Sequence, residues 1–135
     1  MTPTPFVADW FKRANEDIGA AALMLDEGSF PNPICFHAQQ SVEKALKGYL
    51  AANEVRPEKT HDLLELLTAC ANFDTSFNSL RDDAQYLKRF YIEARYPGDF
   101  PSYTLGEAQK AYDAAKRIHS FVENRLGSCG ADMAA

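Results

Sequence analysis

No apolar run in this 135-residue chain approaches the roughly 18 residues that a membrane-crossing helix requires, so no span is expected. The opening Met1-Thr2-Pro3-Thr4-Pro5 lacks both a basic and an apolar segment, which argues against a secretory signal. Cysteine is scarce. Cys35, Cys70 and Cys129 are odd in number, far apart and without a Cys-x-x-Cys pair, so neither a disulfide framework nor a structural zinc site is expected. A reducing cytoplasm is the natural compartment for such a chain. There is no glycine-rich phosphate loop, no Gly-x-Ser-x-Gly and no His-Glu-x-x-His. Glu58-Lys59-Thr60-His61 is a solitary Glu-x-x-His, whereas a di-iron bundle needs two, plus a glutamate from each remaining helix. No metal and no cofactor are expected. An excess of positive charge is also missing: 14 basic against 19 acidic residues leave a net charge of −5. A protein that coats nucleic acid with its whole surface is thereby excluded, and any nucleotide or RNA site must be a local patch.

What remains is ordinary globular composition, 46% apolar and 24% charged, in a length that suits a single domain. Breakers divide it into helical segments. Phe6, Trp10, Ala14, Ile18, Ala21 and Leu25 recur at three- and four-residue steps and predict a first helix over Phe6–Leu25, closed by Gly28. Asn32 followed by Pro33 reads as an N-cap for a second helix over Pro33–Asn53. In it, Cys35, Ala38, Val42, Ala45, Leu46 and Tyr49 share a core arc, with His37, Gln40, Lys44 and Lys47 roughly opposite. Ser41 and Gly48 leave a seam of small residues between the two arcs. Thr60 is placed to cap a third helix over His61–Ala71. A fourth is predicted over Phe77–Arg95, with Leu80, Ala84, Leu87, Phe90, Tyr91 and Ala94 inward, before the breaker Tyr96-Pro97-Gly98-Asp99-Phe100-Pro101. Thr104 and Glu107 form a capping box for a fifth helix that stops at Gly127. No period-2 run reads as a strand. The class is all-α, a compact up-and-down bundle of four to five helices over residues 6–126, with a flexible N-terminus over 1–5 and a flexible tail over 127–135.

Three features are able to carry chemistry. Glu43, Lys44 and Lys47 on the second helix read either as a solvated face with an i,i+4 ion pair or as an anion patch flanked by His37 and Gln40. Arg81, Lys88 and Arg95 fall within about 40° of one another on the fourth helix. They either snorkel along the core edge, or end in a guanidinium beside Tyr96 suited to phosphate contact and base stacking. Lys59-Thr60-His61-Asp62-Leu63 is a helix start, and it also places His61 at a positive helix end that favours a neutral imidazole.

In order along the chain, Gln39-Gln40-Ser41-Val42-Glu43-Lys44-Ala45-Leu46-Lys47, Lys59-Thr60-His61-Asp62-Leu63 and Tyr91-Ile92-Glu93-Ala94-Arg95-Tyr96-Pro97 resemble the HEPN (higher eukaryote and prokaryote nucleotide-binding) family. The resemblance spans Phe6 to Leu126. It implies a helical bundle, usually dimeric, that binds nucleotides or RNA and in prokaryotes is often encoded beside a minimal nucleotidyltransferase in a toxin–antitoxin-like pair. Many members are metal-independent ribonucleases carrying an Arg followed after four to six residues by His. Arg95 is followed by no histidine in that range, so this chain is expected to be a non-catalytic accessory partner. The alternative is a ribonuclease toxin using Arg56 and His61, which match the spacing but precede the third helix. The second alternative is a purely structural dimerisation module. The expected binding residues are Lys44, Lys47, Lys88, Arg95 and Tyr96, with Arg13 and Lys110 as indifferent controls. A cytoplasmic homodimer is expected, both from the resemblance and because the Ser41/Gly48 seam and the Tyr86, Phe90, Tyr91 flank offer more apolar surface than a small bundle can hide.

Overall fold

A computed structural model describes residues 4–91 and 101–126, and among them five α-helices and one 3-10 helix but no strand. Helix α1 runs Pro5–Glu27, α2 Pro31–Ala52, α3 Leu63–Ala71, α4 Arg81–Lys88 and α5 Leu105–Leu126, with the 3-10 helix over Thr75–Leu80 leading into α4. None of these helices is long and apolar enough to cross a membrane.

Helix ends follow capping chemistry. Thr4 accepts a hydrogen bond from the Val7 amide at 3.1 Å, Pro5 occupies the first turn, and Gly28 closes α1 in the left-handed region at φ 72°. Thr104 and Glu107 form the expected reciprocal box: the Glu107 amide donates to Thr104 Oγ1 at 3.0 Å, and the Thr104 amide donates to Glu107 Oε1 at 3.1 Å.

Two predicted caps are corrected. The residue before α2 is Phe30, at φ 63°, and Asn32 lies within the first turn. The Asn32 amide instead donates to the Pro101 carbonyl and accepts from the Tyr103 amide, tying the start of α2 to the approach to α5. A side chain with both a donor and an acceptor finds a tertiary pair more complete than a cap. Likewise Asp62, not Thr60, caps α3, accepting from the Leu64 and Glu65 amides, while Thr60 Oγ1 accepts from the Asp62 amide and donates to Glu65.

The fourth helix is shorter than its periodicity predicts. Asp74 captures the Ser76 amide and Ser79 Oγ returns to the Ser76 carbonyl, so local side-chain bonds favour a 3-10 turn over 75–80. The α-helix ends at Lys88, and Arg89 and Phe90 form a turn that seats the fully buried Phe90 ring edge-on to Tyr86 and Tyr103. Residues 92–95, predicted as its last turn, lie outside the described residues.

Helix α2 is the centre of the bundle, packed against α1, α5 and α3. A Cβ on Gly48 would stand 2.7 Å from Phe11 Cε2 and 3.1 Å from Trp10 Cβ, so the small-residue seam admits α1 of the same chain. Phe90 and the Tyr86 ring are likewise covered within the chain. Of the surface invoked for a dimer, the Gly48 seam and Phe90 are therefore covered within the chain and Tyr86 in part, whereas Tyr91 stays half-buried. Around α2 the core is closed by Phe77, which meets Tyr49 at 4.6 Å and Phe121 at 4.9 Å between ring centroids.

Candidate functional site

The polar side of α2 is partly enclosed: His37, Gln40 and Lys44 stay half-buried, whereas a neighbouring strip is buried outright. Gln39, Glu43 and Lys47 are buried, at 0%, 4% and 7% exposure. A buried carboxylate is tolerable only if paired and hydrogen-bonded. Glu43 meets that condition threefold: Oε2 accepts from Lys47 Nζ at 3.2 Å, and Oε1 faces His61 Nδ1 at 3.0 Å and accepts from Gln39 Nε2 at 3.3 Å. An ionised carboxylate only accepts, so Nδ1 of His61 carries the proton and Nε2 is left for another partner. Gln39 Nε2 also reaches the His61 carbonyl at 3.4 Å, and the Lys47 ammonium stands 5.8 Å from the Trp10 ring centroid.

His61 itself is half-exposed, at 48% of its side chain, and lies flat on Tyr91, with ring centroids 4.0 Å apart and planes 12° from parallel. One residue further, Asp62 binds Lys88 at 3.1 Å. Burial pushes the Asp62 carboxyl up, but the Lys88 contact and the Leu64 and Glu65 amides outweigh it and hold it below the usual carboxylate range. The result is a ledge of His61, Tyr91 and Lys88, fixed from beneath by three buried side chains of α2. His61 precedes the α3 cap, so Glu43 rather than the helix end orients it.

A second carboxylate serves an adjacent flank of α2. Asp17 of α1 holds His37 Nδ1 at 2.9 Å and Lys44 Nζ on its other oxygen. Nearby His119 is 6% exposed, and burial lowers its pKa to about 4, so it sits neutral. It belongs to the core.

Of the predicted binding residues, Lys47 and Lys88 are brought to the His61 cluster, whereas Lys44 is turned toward Asp17. Arg95 and Tyr96 lie outside the described residues, four and five positions after Tyr91. Arg56 is exposed and lines a cavity of about 160 Å³ together with Leu50, Pro57, Thr60 and Leu66, and His61 is not among its lining residues. The described residues gather no cluster of three or more His, Cys, Asp or Glu side chains fit for a metal. Sequence reasoning found His61 and Lys88 but missed Tyr91 as its stacking partner, Glu43 as its anchor and Asp17 altogether. The i,i+4 spacing of Glu43 and Lys47 was visible, but its burial was not.

The HEPN domain family matches residues 7–125. This chain belongs to the HEPN family. Its fold is similar to the crystal structure of an archaeal HEPN homologue, ST0689, at TM-score 0.71 and 27% identity over 89% of this chain and 97% of that one. It is also similar to TT1696 from Thermus thermophilus, at TM-score 0.74 and 32% identity over 91% of this chain and 100% of that one. No curated protein matches it. As a HEPN domain the chain thus has the helical bundle that its motif order implied.

Proposed function

We propose that this HEPN chain binds a nucleotide or RNA without cleaving it, as the cytoplasmic accessory partner of a minimal nucleotidyltransferase in a toxin–antitoxin-like pair, and that it works as a homodimer. The observation that supports binding is the ledge: a half-exposed imidazole stacked on Tyr91, locked by buried Glu43, with Lys88 alongside. A flat aromatic pair beside a cation suits a nucleobase and its phosphate. The reading without cleavage rests on the sequence, in which Arg95 is followed by no histidine within four to six residues. Fluorescence anisotropy with labelled RNA checks this: His61→Ala and Tyr91→Ala should each weaken binding about tenfold while the RNA stays intact. Equal binding by both variants would defeat the reading.

The ribonuclease alternative has one observation in its favour. Glu43 fixes Nδ1 of His61 and leaves Nε2 for proton transfer, an arrangement general acid–base catalysis uses. Metal-independent cleavage lost in both Arg56→Ala and His61→Ala, but kept in His37→Ala, would replace the binding reading with it. His119 is unsuitable as that control because its truncation opens the core.

A further inference from the structure

Helix α4 ends in Lys88, and the residues after it carry the ledge around to another face. Lys88 turns toward α3 and Asp62, while its neighbour Arg89 turns the other way, its guanidinium 4.6 Å from the Tyr86 ring centroid. From α5, Lys110 Nζ comes to 4.3 Å from that same centroid. Both cations are exposed, and no described carboxylate pairs with either. The carboxylates on the adjoining turns contact neutral donors instead: Glu107 in its capping box with Thr104, and Asp113 accepting from Gln109 Nε2 at 3.0 Å. Phe90 and Tyr103 brace the Tyr86 ring, and its hydroxyl donates to the Glu107 carbonyl at 3.1 Å.

Rings and cations therefore gather around the end of α4: His61 on Tyr91 with Lys88 alongside, then Arg89 and Lys110 on Tyr86. We infer that the ligand is a single strand of several nucleotides that starts at the His61–Tyr91 ledge and crosses the end of α4 to the Arg89–Lys110 pair. A mononucleotide would engage the ledge alone. On a chain of net charge −5, cations that stand exposed add to a strand's affinity, and among the described residues no carboxylate pairs with either member of this second pair. The inference rests on the nucleic-acid reading above and narrows its ligand.

Anisotropy of fluorescein-labelled oligo(U) of three, six and twelve nucleotides, at low and moderate salt, tests it. Affinity should rise about tenfold from the shortest to the longest probe, with a steeper salt dependence for the longest. Arg89→Glu and Lys110→Glu should each remove that gain and leave the trimer unaffected, whereas His61→Ala should weaken all three. Lys12→Glu, an exposed cation on α1, should change neither. Circular dichroism checks that the charge variants fold, and Arg89→Gln supplies a milder substitution if one does not. Equal affinity at all lengths overturns the inference and spares the binding reading, as does a length gain that survives both reversals. Absence of binding at every length and salt overturns both.

Discussion

Two sets of cations in this chain meet opposite fates. Inside, Lys44 and Lys47 of α2 lie on the carboxylates of Asp17 and Glu43, with Lys47 almost fully buried. Outside, Arg89 and Lys110 rest on the face of Tyr86. In the sequence the inner set is the more conspicuous, since Lys44 and Lys47 fall in a family-like motif. In the fold their charge is consumed in holding α1, α2 and the residues before α3 together. The outer pair, one member of which was expected to be an indifferent control, is exposed and meets no carboxylate among the described residues. An ammonium buried against a carboxylate, as Lys47 is, has less to offer a phosphate than one whose side chain stands in solvent.

The largest expected effect tests the inner network. Removing one partner of a buried ion pair strands the other, so Lys47→Ala and Glu43→Ala should each cost about 3–5 kcal/mol in urea unfolding. Lys110→Ala should fall within about 0.5 kcal/mol of the parent. Similar losses for Lys47 and Lys110 would break the contrast between the two regions.

Next in size is an acid response from the inner region. Folded His119 has its pKa pushed down to about 4 from the ordinary 6.5 because burial penalises the imidazolium. The unfolded chain therefore takes up the proton first as pH falls. The stability His119 contributes is complete above pH 6.5 and is lost progressively toward pH 4, by about 3 kcal/mol in all. His119→Gln should flatten that part of the stability profile, and an unchanged slope between pH 6.5 and 4 would refute the assignment.

Glycine substitutions sharpen the comparison at a smaller scale. Gly48→Ala would drive a methyl into Phe11, which the neighbouring core cannot release freely, at a cost of about 1–3 kcal/mol. Gly19→Ala on α1, with nothing within 4 Å of its Cβ, should instead stabilise by about 0.5–1 kcal/mol. Thermal unfolding should move the two midpoints in opposite directions. The smallest effect is expected at the surface. Arg117 makes two contacts of 2.8 Å to Asp83, yet its side chain is 58% exposed, so Arg117→Ala should cost no more than about 1 kcal/mol.

The legible part of the fold was local. Helical periodicity marked α1, α2 and α5, and the Thr104/Glu107 spacing marked the start of α5, because those bonds join residues three apart. Asn32 was misread as a cap because its real partners lie about seventy positions away, at Pro101 and Tyr103. In the candidate site, His61 and Lys88 were visible as chemistry-bearing residues near a helix start and a core edge. Their relation was not, since Glu43 reaches His61 across 18 positions and Asp17 reaches Lys44 across 27.

By itself, then, the sequence determined the all-helical class, most element boundaries and the HEPN membership, since apolar period, breakers and motif order are all short-range patterns. Only the tertiary structure decided which polar residues are solvated. Hydropathy along α2 records one apolar face, but α1 and α3 cover much of the other, and burial is a property of neighbours that the chain brings from far away. That is why two lysines read as an open patch are internal struts, and why a tyrosine read as part of a dimer-forming flank holds the exposed cations.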